Sequence, residues 1–368
     1  MSAVLPALEI VRLTHRYGRN VALDQVSLTV ADGEFLTILG PSGSGKTTLL
    51  RVIGGFEIES EVEVLRIGGV DMRGLPANYR PVATVFQHYA LFPHMSVIEN
   101  VEYGLKLRKV APEERRKQAE AALDLVRLTG KSGRRIHQLS GSERQRVAFA
   151  RAFVTKPRIL LLDEPMGALD EKLRHEMQGE VRALQRTLGT TFVQVTHSRE
   201  EALTMSDRVV VMNRGRIEQL GTPQAVFERP ETRFVADFMG LTNIFDGRIA
   251  ASGDAVDIGG VVLGGAWTGS GMPTPGAPAF FAVHPRRIRL VGAPDGATAL
   301  PATVATVLFK GADAEVTCTT PIGPFTAAIE GSPPPVGASL HVSFPQDRAV
   351  IGPTSAENGT TPQGRMEQ

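Results

Sequence analysis

The stretch G-P-S-G-S-G-K-T-T at residues 40–48 constrains this chain more than any other. It fits the pattern G-x-x-x-x-G-K-[ST]. Gly40, Gly45, Lys46 and Thr47 hold the fixed places, with Pro41, Ser42, Gly43 and Ser44 between them and Thr48 following. The preceding E-F-L-T-I-L (34–39) reads as a short buried strand, and T-T-L-L-R-V-I (47–53) reads as the opening of a helix. Glycines let the backbone bend until its N–H groups converge on phosphate oxygens, and the helix start adds partial positive charge there. On this reading Lys46 reaches the β- and γ-phosphates and Thr47 offers a hydroxyl to Mg²⁺. A plain Gly/Ser turn does not call for lysine, hydroxyl, strand and helix in this order. The chain is expected to bind a nucleoside triphosphate.

Strand and helix signals then alternate. Residues 4–18 and 21–30 alternate apolar and polar around a turn at 18–20, which predicts an antiparallel pair with one solvated face. Tyr17, just before that turn, is placed either to stack on a nucleobase or simply to pack. More β-type sequence follows at 62–72, and 81–87 reads as a strand ending in Gln87. A helix is predicted over 112–128, with Pro112 in its first turn and Gly130 past its end. Another begins at Ser140. R-I-L-L-L-D-E-P (158–165) is apolar throughout its middle, as in a strand buried on both faces of a parallel sheet. From Asp170 a helix carries Leu173, Met177, Val181, Leu184 and Leu188 on one stripe and stops at Gly189. Residues 191–197 give a strand ending at His197, and 208–220 a hairpin turning at 213–215. The order predicts an α/β domain with a mainly parallel core sheet, up to about residue 235.

Asp163 and Glu164 close a buried parallel strand, the end at which ligands bind in open α/β sheets. Two acids there divide the work of phosphate chemistry. Asp163 is assigned to the metal ion and Glu164 to the attacking water. A polar turn cap explains the pair less well when a phosphate loop lies upstream.

Composition narrows the remaining classes. The 368 residues leave room for roughly two or three domains. Lys and Arg number 40 against 39 acids, a net charge of +1, so no global charge favours nucleic acid or an anionic membrane. The one cysteine, Cys318, excludes an intrachain disulfide and fits a reducing compartment. The N-terminus lacks a basic-then-apolar signal and no run is long enough to cross a bilayer, so a soluble, cytoplasmic protein is expected.

After Asn243 the pattern changes. Short β-like pieces at 244–249, 280–291, 302–309, 314–319 and 339–344 are divided by Gly/Pro-rich turns, notably 264–278. This predicts a small closed or partly closed β barrel over 241–352. The polar stretch 353–368 reads as a disordered tail.

L-S-G-S-E (139–143), Gln87, G-A-L-D (167–170) and His197 stand with the phosphate loop in an order that resembles the ATP-binding cassette (ABC) transporter ATPases, over nearly the whole chain. The resemblance implies an α/β P-loop ATPase domain at 1–240, with an antiparallel β subdomain and a helical subdomain at about 88–155, followed by an all-β OB-like domain. It implies that residues 40–48 cradle ATP with Mg²⁺ and that Tyr17 stacks on adenine. Gln87 would link the metal site to a transmembrane partner. Glu164 would be the catalytic carboxylate, His197 a contact of the γ-phosphate, and Asp170 part of the loop between paired subunits. Ser140, Gly141, Ser142 and Glu143 would face ATP held by the other subunit of a head-to-tail homodimer. In the family, the region of H-Y-A-L-F-P-H-M-S-V-I-E-N (88–100) receives a short helix from the membrane partner. That implies two transmembrane permease subunits, a periplasmic solute-binding protein acting indirectly, and a place at the cytoplasmic face of the cell membrane. Ordinary core packing is the other reading of 88–100. V-H-P-R-R-I-R-L (283–290) resembles the P-E-x-I-R-L element of the transport-associated OB-like domain, although Arg286 stands where an acid is usual. Few aromatics and no basic stripe occur there, so no nucleic acid is expected.

The chain departs from the family where L-S-G-G-Q is usual: it has Ser142 and Glu143. Ser140-x-x-Glu143 is also a capping box, which leaves Glu143 a structural role while its charge stands near an anionic ligand. Gly167 replaces the usual serine. The expectation is retained function with weaker ATP-driven closure. Residues 171–208 are most similar to ATPase subunits of spermidine/putrescine importers. Subunits for ferric iron, sulfate, phosphonates or sugars share much of that stretch. A soluble cassette ATPase acting on DNA or ribosomes would bring coiled-coil insertions or tandem cassettes, and a GTP switch would bring N-K-x-D. The sequence contains none of these.

Overall fold

A computed structural model describes residues 5–167, 170–294 and 299–354. The chain forms two compact units, Met1–Pro223 and Gln224–Gln368.

In the first unit, β1 (Leu8–Tyr17) and β2 (Asn20–Val30) pair antiparallel, as their alternation predicts. β3 (Phe35–Leu39) is buried along its whole length and leads into α1 (Lys46–Gly54). β4 (Val64–Ile67) pairs with β1 and with β5 (Val70–Asp71), completing a four-stranded sheet ordered β2-β1-β4-β5. β6 (Val82–Val85) is followed by three helices, α2 (Val97–Leu107), α3 (Pro112–Leu125) and α4 (Gly141–Phe153). Then come β7 (Ile159–Asp163), α5 (Glu171–Leu188), β8 (Thr191–Thr196), α6 (Arg199–Met205), β9 (Arg208–Asn213) and β10 (Arg216–Gly221).

The second sheet is ordered β10-β9-β3-β8-β7-β6 and is parallel except for the β9–β10 hairpin. Parallel strands carry crossover helices on their faces, so β3 and β8 are buried at every residue and β7 at its first four. One core cluster includes Phe149, Leu162, Met177 and Phe192, and the other Leu13, Ile38, Leu50 and Leu161. Leu161 and Leu162, adjacent on β7, thus enter different cores, as the two-residue repeat of a strand requires.

Two local departures have clear causes. Sequence periodicity missed α2, yet a capping box marks its start: Ser96 N–H donates to Glu99 Oε2 (2.7 Å) and Glu99 N–H to Ser96 Oγ (3.4 Å). α3 stops at Leu125 rather than 128, because Leu128 N–H turns back to Leu123 O (2.9 Å) and Arg127 takes a positive φ of 57°. Arg80, unremarkable in sequence, is buried and donates to Val52 O (2.6 Å), Ile53 O (3.0 Å) and Leu75 O (2.8 Å). Its cation thereby satisfies the orphan carbonyls at the end of α1.

The second unit opens with short helices α7 (Pro223–Glu228, whose first residue closes the first unit) and α8 (Arg233–Phe238). Strands follow: β11 (Asn243–Ile249), β12 (Ala255–Ile258), β13 (Val261–Gly264), β14 (Ala266–Trp267), β15 (Pro278–Val283), β16 (Arg289–Val291), β17 (Leu300–Phe309), β18 (Asp313–Thr320), β19 (Gly323–Glu330), β20 (Ser339–Ser343) and β21 (Ala349–Pro353). They form two sheets, ordered β13-β12-β11-β15-β21-β14 and β16-β20-β17-β18-β19, around one core that includes Phe281, Ile351, Val316 and Phe325. Phe245 stacks on Phe325 (4.7 Å between ring centres), and Asn243 Nδ2 donates to Val283 O (3.3 Å) and Thr326 O (2.8 Å), tying the sheets together. The expected barrel pieces are present, but 280–291 is broken at Pro285–Arg287, and β12, β13, β14, β19 and β21 are additions. The expected disordered tail falls at 355–368, outside the described residues, although Pro353 belongs to β21.

Candidate active site

The loop at 40–48 bends between β3 and α1 with Gly43 at φ 77° and Gly45 at φ 99°. A methyl on Gly45 would lie 2.6 Å from Ala22 O, and one on Gly40 would lie 2.4 Å from Met212 O. Both glycines are therefore required by close backbone approach, and Gly45 by its conformation as well. Lys46 is only 6% exposed and its Nζ donates to Gly40 O (2.9 Å) and Pro41 O (2.8 Å), curling the side chain back over the loop. Burial holds its ammonium below the usual lysine range, opposed by the negative charges of Glu164 and then Asp163. Ser44 is buried with its hydroxyl unpaired, and Ser44 O accepts from Gly215 N–H (3.0 Å).

Beside the loop opens a cleft of about 460 Å³ whose lining includes Tyr17, Gly43, Lys46, Thr47 and Thr48. Tyr17 is 45% exposed, and its hydroxyl donates to Glu57 Oε1 (2.9 Å). Arg214 and Gly215, from the β9–β10 turn, line the same cleft. Sequence reasoning recognised that turn but gave it no part in the site. An aromatic side chain, a glycine-rich loop before a helix start and a buried lysine suit a ring joined to a polyphosphate.

The acids stand where expected. Asp163 ends β7, and its carboxyl is raised above the ordinary range by burial first and the neighbouring Glu164 second. Glu164 follows at a φ of 45°, with its N–H donating to Val195 O (3.1 Å). That left-handed turn re-aims the second acid, and its carboxylate Oε2 lies 3.3 Å from His197 Nδ1. Gln87 lies beyond the end of β6 rather than on it. It still joins the group, because a methyl on Gly167 would sit 3.3 Å from Gln87 Nε2 and 3.8 Å from Glu164 Oε2. Gln87 and Glu164 thus meet beside Gly167, and Glu164 reaches on to His197.

Among the described residues no cluster of three or more His, Cys, Asp or Glu side chains could cage a metal. Mg²⁺ does not need such a cage, since it keeps waters and takes phosphate oxygens with one or two protein ligands. Two adjoining carboxyls, one with its proton affinity raised by the other, form a site that a divalent cation relieves. Thr47, Asp163 and Gln87 carry oxygen donors of the kind that Mg²⁺ takes.

Ser140 caps α4. Its N–H donates to Glu143 Oε2 (2.8 Å) and its Oγ accepts from Glu143 N–H (3.3 Å), the capping box read from sequence. Gly141 faces open space, and Ser142 Oγ is 3.2 Å from Ser140 Oγ. Residues 140–143 do not line the cleft by the loop. Asp170 caps α5, its Oδ1 accepting from Leu173 N–H (2.9 Å). Ala168 and Leu169 of the same motif lie outside the described residues.

Part of the segment 88–100 packs inward, while His88, Ala90, Pro93 and His94 are exposed. Tyr89 and Leu91 pack against the helical core, and Arg151 donates to Ala90 O (2.6 Å) and Tyr89 O (2.7 Å). Phe92 is half-buried against Tyr103, with ring centres 4.6 Å apart. Core packing accounts for these residues. The exposed rings of this region are Phe86 and Phe56, 5.9 Å apart.

Known proteins resemble this chain along most of its length. Residues 23–167 match the ABC transporter family and residues 281–351 the TOBE domain. The spermidine/putrescine import ATP-binding protein PotA of Rubrobacter xylanophilus is 46% identical over 321 residues, 86% of this chain and 84% of that protein. PotA of Mannheimia succiniciproducens is 52% identical over 244 residues, 66% of this chain and 65% of its own length. Among solved structures, CbiO1 of Clostridium perfringens, part of an ABC transporter complex, is 28% identical with a TM-score of 0.57, over 61% of this chain and 91% of its own. The ATP-binding cassette MJ0796, a post-hydrolysis dimer bound to ADP and Pi, is 32% identical with a TM-score of 0.52, over 59% of this chain and 98% of its own. Identity of that degree along most of a relative's length makes this chain a member of the ABC transporter family.

Proposed function

We propose that this chain is the ATP-hydrolysing subunit of an importer for polyamines of the spermidine and putrescine class. The observation that carries the ATPase reading is the meeting of Glu164 with His197 at the strand ends that also present Asp163, whose charges act on Lys46. The solute class rests on the import proteins that this chain resembles.

Lys46, with the loop N–H groups, binds and orients the β- and γ-phosphates, while Tyr17 stacks on the base. Thr47, Asp163 and Gln87 would hold Mg²⁺, which would supply charge neutralisation at the phosphates. Glu164 accepts a hydrogen bond from the attacking water and aligns it, and His197 fixes the carboxylate and reaches toward the γ-phosphate. Residues 140–143 of a second copy close over the triphosphate, their helix start facing the terminal anion. ATP so placed joins two subunits, and its loss separates them. The permease partners dock near 88–100, with Phe86 and Phe56 offering exposed apolar area. Among the described residues no helix is long and apolar enough to cross a membrane.

Uptake of labelled spermidine by cells lacking their own polyamine importers tests the reading. Cells expressing this chain with the permease and binding-protein genes beside it should accumulate label. The Glu164→Gln chain should abolish uptake. Uptake of another solute instead would leave the ATPase and remove the polyamine assignment.

A further inference from the structure

Glu143 places a carboxylate at the start of α4, where an approaching phosphate would be repelled. In the fold both of its oxygens are engaged. Oε2 accepts the Ser140 N–H (2.8 Å), and Oε1 pairs with the ammonium of Lys131. Glu143 is mostly buried and Lys131 about a third exposed, so the pair sits at a partly dry edge.

Lys131 is not a loose surface lysine. Its N–H donates to Leu128 O (3.1 Å), and the following turn is fastened to the start of α2 by Ile98 N–H to Ser132 O (3.0 Å) and Val97 N–H to Arg134 O (2.9 Å). Neighbouring cations point elsewhere: Arg144 donates to Ile136 O (3.2 Å) and Arg135 to His94 O (2.6 Å). The first-turn N–H groups of Gly141 and Ser142 have no intrahelical acceptor by helix geometry, and the space before Gly141 is open.

We infer that Lys131 is a positioning residue of the 140–143 segment: it cancels the charge of Glu143 and so keeps this helix start receptive to the γ-phosphate of ATP held by a second copy. This rests on the ATPase reading above. It offsets the weaker closure expected from Glu143 in the sequence. A glutamine at 143 would make the same cap without a charge and would not need Lys131. The two positions are therefore coupled through charge.

The test is a two-by-two exchange in the full-length chain with Mg-ATP. It measures ATP-driven dimerisation by light scattering and nucleotide binding to the monomer with a fluorescent ATP analogue. Lys131→Met should weaken ATP-driven dimerisation about 5- to 10-fold, the scale of one uncompensated charge near an anion in mixed solvent and protein. Monomer affinity for nucleotide should stay unchanged. Lys131→Arg should behave as the parent, and Lys131→Met with Glu143→Gln should return dimerisation to within about twofold. Loss that Glu143→Gln does not restore, or no loss in Lys131→Met, overturns the inference. An unmodified chain that binds ATP but never dimerises overturns the two-copy reading itself, which is a separate failure.

Discussion

His197 Nδ1 lies 3.3 Å from Glu164 Oε2, so two neighbouring parallel strands deliver a base and its orienting partner to one point. Pairing Asp163 with Val195 sets the register that makes this meeting possible. A one-residue slip would send the side chains to opposite faces.

Glu164→Gln keeps the shape and removes the basic oxygen. ATP hydrolysis should fall by roughly 10²–10⁴-fold, the usual contribution of a positioned general base, while ATP binding persists. Dimers should accumulate in Mg-ATP. Size-exclusion chromatography and phosphate release measure both, and parental turnover would remove Glu164 from the chemistry.

His197→Ala leaves Glu164 without its lateral contact. A fall of about 10- to 100-fold in kcat with little change in KM is expected, because the loss concerns alignment in the transition state. A change confined to KM would instead assign His197 to ground-state binding.

Lys46→Ala removes the cation from the loop and leaves the carbonyls of Gly40 and Pro41 without their donor. Nucleotide affinity should drop by about 10- to 100-fold, the scale of one charge-assisted hydrogen bond. Isothermal titration with the nonhydrolysable analogue in Mg²⁺ reads this directly.

Gly45→Ala would force a methyl to 2.6 Å from Ala22 O at a φ of 99°. Destabilisation of about 1–3 kcal/mol together with loss of nucleotide binding is expected. Gly141→Ala, with open space before it, should leave stability near the parent value, and urea titration of both variants reads the difference.

Glu143 titrates at about 2 in the fold, lowered first by Lys131 and next by the Ser140 N–H, against an ordinary glutamate value of 4.5. A lowered carboxyl contributes stability that is complete above the unfolded value and is lost as pH falls through the folded one. Melting temperature should therefore decline more steeply between pH 4.5 and 2 in the parent than in Glu143→Gln. Equal slopes would mean that the Lys131 pair adds nothing to the fold.

The residue pattern alone determined the loop at 40–48, the buried strand ending at Asp163, the capped helix from Asp170 to Gly189 and the box at Ser140–Glu143. Each of these depends on neighbours within a few positions, so spacing and backbone preference are enough to specify it. Tertiary structure decided the rest. It placed His197 against Glu164, turned Arg80 onto the end of α1, matched Lys131 with Glu143, brought Arg214 to the cleft and drew Tyr89 and Leu91 inward. It also made two sheets of the second unit, with strands such as Gly323–Glu330 that lack a strong alternating signal. The physical reason is common to all of them: contacts between distant residues follow from strand register and helix packing, and no local period in the chain encodes either.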